Sequence, residues 1–97
     1  MQKMKVILSR LLGIGPIEYD IVFKNITSNG KFLINGANSF IFVNQGTSIV
    51  TIENSFTLGV DRSLSFPGEL FEDFDGGFNI AFSTGTGNLV AIIKQYR

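Results

Sequence analysis

From Ile17 to the C-terminus, apolar and polar residues alternate in short runs, each broken within a few positions by Gly, Asn, Pro or Thr. A period of two sends successive side chains to opposite faces, so these runs read as half-buried strands. Ile17, Tyr19, Ile21 and Phe23 alternate with Glu18, Asp20, Val22 and Lys24. Residues 25–30 form a turn cluster in which Asn29-Gly30 signals a hairpin, because both residues accept positive φ. Residues 31–35 and 39–44 resume as strand around an interruption at Gly36-Ala37-Asn38, with Phe40 and Phe42 on one face. Gln45-Gly46 turns the chain, and residues 47–54 alternate again with β-branched side chains that suit a pleated surface. Residues 56–66 are less regular. Turns are expected at Pro67-Gly68 and at Gly76-Gly77, on either side of an acidic stretch. Phe78, Ile80 and Phe82 share a face, and Thr84-Gly85-Thr86-Gly87 reads as a hairpin turn. Residues 89–96 close the chain as a strand that is apolar on both faces at 90–93, the mark of a central or doubly covered position. Some seven short strands with frequent turns predict a mainly β domain, an antiparallel β-sandwich of jelly-roll-like kind or a small barrel.

The period differs before Pro16. Met4, Ile7, Leu8, Leu11 and Leu12 follow the i, i+3, i+4 spacing of one helical face, with Lys3, Lys5 and Arg10 mostly elsewhere. The spacing predicts an amphipathic helix over residues 1–12, a hinge at 13–16 where Gly13 and Pro16 stop it, and one domain over 17–97. A helix this short is marginal alone in water, so its apolar face should need a surface to bury. That surface is the chain's own sheet, a protein partner or neighbouring copy, or anionic lipid, with the membrane reading the weakest. Ser9 and Arg10 break the apolar run that a secretory signal needs. No run approaches the roughly 18 apolar residues of a spanning helix.

Composition narrows the chemistry. The chain has 97 residues, ten of them Phe, and no His, Cys or Trp. Without Cys there is neither a disulfide nor a thiolate metal site, and without His general acid–base work near neutrality falls to carboxylates, Lys or Tyr. Ser and Thr are plentiful, but none has a base in an evident nucleophile arrangement. Charged residues are 16% of the chain and the net charge is zero, which gives no field to attract nucleic acid. The charge is divided, however: residues 1–31 carry +3 and residues 32–97 carry −3, so the two parts should attract at short range. The aromatic residues sit in strand periodicity within the negative part, which argues for core packing over base stacking.

The densest chemical group is Glu69, Glu72, Asp73 and Asp75. Its simplest reading is a solvated acidic loop. Asp73-Phe74-Asp75-Gly76-Gly77 has a faint calcium-loop pattern that lacks the full ligand series, which leaves Asp73 and Asp75 as a minor metal candidate. A carboxylate pair of the glycosidase kind is a third option. Turn aromatics such as Phe71, Phe74 and Tyr96 offer stacking faces for sugar, although Trp, the largest such face, is absent.

Gly46-Thr47-Ser48, Ser65-Phe66-Pro67-Gly68-Glu69, Phe78-Asn79-Ile80-Ala81-Phe82, a Gly/Thr turn, and Leu89-Val90-Ala91-Ile92-Ile93-Lys94 ending in an aromatic together resemble small virion proteins of tailed bacteriophages. The likeness spans about half of the chain, residues 46–97, in common β-hairpin vocabulary. It implies a compact β-sandwich attached to a capsid or tail, often as a symmetric oligomer, and assigns no functional residue. The expectation is a non-enzymatic structural or attachment subunit of the virion. It would dock onto other virion proteins through Met4, Ile7, Leu8, Leu11 and Leu12, with Lys3, Lys5 and Arg10 as a basic flank. It would also self-associate, and it would need neither cofactor nor nucleic acid. The alternative is a carbohydrate-binding β-sandwich.

Overall fold

The computed structural model describes residues 2–6, 17–69 and 72–96, with residues 2–6 and Ile17 described through their backbone. The chain is a mainly β protein with antiparallel pairing throughout and no helix among the described residues. Its strands are β1 (Gln2–Val6), β2 (Ile17–Ser28), β3 (Gly30–Asn44), β4 (Val50–Ile52), β5 (Phe56–Leu58), β6 (Ser63–Phe66), β7 (Phe74–Phe82) and β8 (Thr86–Tyr96). Hydrogen bonding orders them β1-β2-β8-β3-β7-β4-β5, with β6 pairing β3 off this path.

The helix expected over residues 1–12 is corrected where the backbone is described. Residues 2–6, which include Lys3, Met4 and Lys5, form an edge strand in register with β2. The same residues also alternate with period two, and the register sets Lys3 opposite Asp20 and Lys5 opposite Glu18. Opposite charges directly across an antiparallel pair favour it, and pairing satisfies backbone groups that a short lone helix cannot satisfy at its ends. Ile7, Leu8, Arg10, Leu11, Leu12 and the hinge at 13–16 lie outside the described residues. The +3 and −3 segments thus meet within the sheet at β1 and β2, both on the basic side of the division.

β3 organises the molecule. Its first part, from Gly30 to Ala37, pairs with β7, and its second part, from Ala37 to Asn44, lies between β8 and β6. Register shifts fall on either side of Ala37, and Gly36 adopts φ 68° between them. Each shift is a one-residue bulge that moves the inward side by one position. The inward residues therefore run Ile34, Ala37, Phe40 and Phe42, all buried. The interruption predicted at 36–38 is real but bends one long strand without ending it.

Around this strand the core gathers Ile34, Phe40, Phe42, Val50, Ile52, Leu58, Ile80, Phe82, Leu89, Ala91 and Ile93. Phe42 is wholly buried and meets Phe40, Phe66, Phe78 and Phe32 largely edge to face, the geometry that opposed ring quadrupoles prefer. β8 is central between β2 and β3, as its two-sided apolar pattern predicted.

The structure alters several expected turns. Asn29-Gly30 and residues 83–85 do turn the chain tightly, but neither joins strands that pair with each other: β2 pairs with β8, and the start of β3 with β7. Asn29 Oδ1 instead accepts the Phe82 amide at 2.7 Å, tying these two turns together. The expected turn at Gly76-Gly77 lies inside β7. A Cβ on Gly77 would stand 2.7 Å from Lys31 Cε and 2.9 Å from Leu33 Cδ2, and one on Gly76 would stand 2.9 Å from the Phe74 ring. Close packing, not chain reversal, accounts for both glycines. β4 stops at Ile52, because Glu53 and Asn54 turn with φ 56° and 59°.

Candidate functional site

The bend in β3 exposes an open cavity of about 270 Å³ lined by Asn38, Phe40, Ser65, Phe66, Pro67, Glu72, Asp73 and Phe74. Its floor is aromatic. Phe40 and Phe66 stack with centroids 4.6 Å apart, and Phe74 tilts against Phe40 at 5.1 Å. Phe40 is buried, whereas Phe74 is 37% exposed. The rim is acidic, formed by the segment between β6 and β7.

Asn38, the extra residue of the second bulge, holds that rim in place. Its Nδ2 donates to the carbonyl of Glu69 at 2.6 Å, the carbonyl of Glu72 at 3.3 Å and the Tyr96 hydroxyl at 3.0 Å. Glu72 further accepts the Glu69 amide through Oε1 at 2.7 Å, closing a local turn. The backbone of Gly68 lies so close that a Cβ there would fall 1.8 Å from the Asn38 carbonyl oxygen. The loop is thus fixed by hydrogen bonds and by a contact that only glycine permits.

Behind Asn38 the anchoring continues into the sheet. The Tyr96 ring lies 5.1 Å from the ring of Tyr19, over which Lys94 Nζ sits at 4.3 Å. Burial and the neighbouring Tyr96 phenol hold the Tyr19 hydroxyl above the ordinary tyrosine range.

The residues singled out from the sequence separate on this framework. Asp73 lines the cavity, while Asp75 accepts the Gly36 amide at 2.6 Å and so belongs to the bulge. No three His, Cys, Asp or Glu residues converge as a metal site among the described residues. Of the aromatics proposed for sugar stacking, Phe74 enters the cavity, Tyr96 stands behind it bonded to Asn38, and Phe71 lies outside the described residues. Asn38, Phe40, Ser65 and Phe66 were missed as site residues. Their only signal was the irregularity at 36–38, which reads as a break until the second pairing partner of β3 is known.

The Thr84–Gly87 segment and its neighbours line a second, shallower hollow with Ser48 and Asn88. Ser48 Oγ bonds to Thr84 Oγ1 and donates to the Thr86 carbonyl at 2.7 Å, while Thr84 Oγ1 also donates to that carbonyl at 3.0 Å. These hydroxyls serve the turn itself. No family model, curated protein or solved structure matches the chain.

Proposed function

We propose that the chain is a non-enzymatic structural or attachment subunit of a viral particle that self-associates through the outer face of β2, β8 and β3. The observation that carries this reading is a row of apolar residues in register on the side away from the core. Phe23 of β2 lies opposite Ile92 of β8, and Ile92 lies opposite Ile41 of β3. Phe23 is 53% exposed and Ile41 37%, and Ile21, Val90 and Val43 extend the row on the same face. A sheet that is apolar on both faces has both covered in most proteins, and an open apolar strip of this kind marks an interface. The low charge and zero net charge favour self-association as well. On this reading the two strand groups sharing β3 are the layers of a jelly-roll-like sandwich, with β3 crossing between them at its bulges. The virion setting rests on the resemblance over residues 46–97.

Light scattering and native mass measurement test the assembly directly. The wild-type chain should be an oligomer that Phe23→Asp with Ile41→Asp converts to monomer. A monomeric wild type at about 100 µM would defeat the reading, since even weak specific interfaces assemble near that range.

The second reading, a carbohydrate-binding module, is favoured by the Phe40, Phe66 and Phe74 floor beneath Glu72 and Asp73. A glycan array on which the Phe74→Ala variant loses every hit of the wild type would support it.

A further inference from the structure

We propose that the cavity at the β3 bend binds a guanidinium group, namely an arginine side chain presented by a protein partner. The charge around it is one-sided. Glu69, Glu72, Asp73 and Asp75 surround its rim, and no Lys or Arg pairs with any of them among the described residues. Carboxylates above a low-dielectric aromatic floor concentrate a negative potential in the cleft.

Independent of the acids is Asn38. The residue is 6% exposed and lines the cavity. Two backbone carbonyls, of Glu69 and Glu72, identify the atom they face as the amide nitrogen. All donors of Asn38 are therefore engaged, while its Oδ1 accepts no hydrogen bond. A buried amide oxygen left without a donor carries a desolvation cost that a ligand N–H would relieve. Asp73 likewise accepts no hydrogen bond from a described residue. The lining therefore offers acceptors and flat apolar rings, with Ser65 as its only side-chain donor.

That combination selects among ligands. A sugar brings as many acceptors as donors and no charge. An ammonium brings donors, but it is compact and strongly hydrated. A guanidinium carries donors alone, is planar, sheds water readily and stacks on aromatic faces. Its edge meets Asp73 and Asn38 Oδ1 while its face lies on Phe74 or Phe66, and the cavity has room for the group and its stem. The inference rests on the assembly reading only in drawing the arginine from a protein, and its test does not require assembly.

The test titrates the full chain with acetyl-arginine amide, the lysine equivalent, the neutral citrulline equivalent and a panel of monosaccharides, followed by backbone amide NMR. Arginine should shift the amides of Asn38, Ser65 and Phe74 saturably, with citrulline and lysine about tenfold weaker or more. Asp73→Asn and Phe74→Ala should each weaken arginine about fivefold or more while leaving the rest of the spectrum in place. Citrulline or lysine matching arginine, Asp73→Asn leaving its affinity unchanged, or no shift in the cavity would each overturn the proposal. Shifts there with monosaccharides alone would do the same and would transfer the cavity to carbohydrate. A monomeric wild type that still binds arginine would remove the self-association reading and leave this one standing.

Discussion

Single buried amides do more to shape this molecule than their chemistry suggests. Asn44 is fully buried, donates to the carbonyls of Ser48 at 2.8 Å and Leu58 at 3.0 Å, and accepts the Gly46 amide at 3.1 Å. It thereby binds the loop after β3 to the edge strand β5. Asn44→Ala would strand buried backbone groups, so unfolding in denaturant should show a loss of about 3 kcal/mol, the range for orphaned buried polar groups. Tyr19 acts differently. Its hydroxyl is held above the ordinary range by burial and by Tyr96. Below about pH 10, where the unfolded chain is still protonated, its contribution is fully present. As pH rises through the higher folded-state value, the unfolded state releases the proton first and that stability is lost. Tyr19→Phe should therefore flatten the alkaline fall of the melting temperature. An unchanged alkaline limb would assign that fall to other groups.

At the scale of elements, the glycines separate close packing from chain reversal. Gly68 and Gly77 both stand against neighbours, but the neighbours differ. At Gly77 a Cβ meets the mobile ends of Lys31 and Leu33, and at Gly68 it meets the Asn38 backbone. Gly77→Ala should cost no more than about 1 kcal/mol because those tips can swing aside. Gly68→Ala should cost about 2 kcal/mol or more and detach the loop from Asn38, visible as a shifted Asn38 side-chain amide resonance. Comparable penalties at the two sites would contradict this packing.

These same positions show what the sequence could reveal. The strand periods of β2, β7 and β8 were legible because one face of each is buried, and that burial writes itself into alternation. The strand at residues 2–6 was not, since Met4 fits a helical stripe and an alternating one equally well, and only the register opposite Glu18 and Asp20 favours the second. Nor could Asn29-Gly30 reveal that its flanking strands pair elsewhere, because turn chemistry is local and partner choice is not. The cavity was half legible. Its acids stood out as a cluster, whereas Asn38 and Phe66 come together only because β3 bends.

For the whole molecule, the distribution of apolar surface yields the last prediction. Phe23 and Ile41 are separated by a strand, yet their shared register with Ile92 places them in one line across the sheet. If that line is covered by a second copy, folding and association are linked, and the melting temperature must rise with protein concentration. For an associating domain of this size, a hundredfold increase should raise it by about 5 °C or more. The Phe23→Asp, Ile41→Asp variant should melt at one temperature throughout, close to that of the wild type at its most dilute, because neither side chain belongs to the monomer's core. A variant that instead melts well below the dilute wild type would mean that these residues support the fold. A wild type with no concentration dependence would mean that the outer face is left to water or to a different partner.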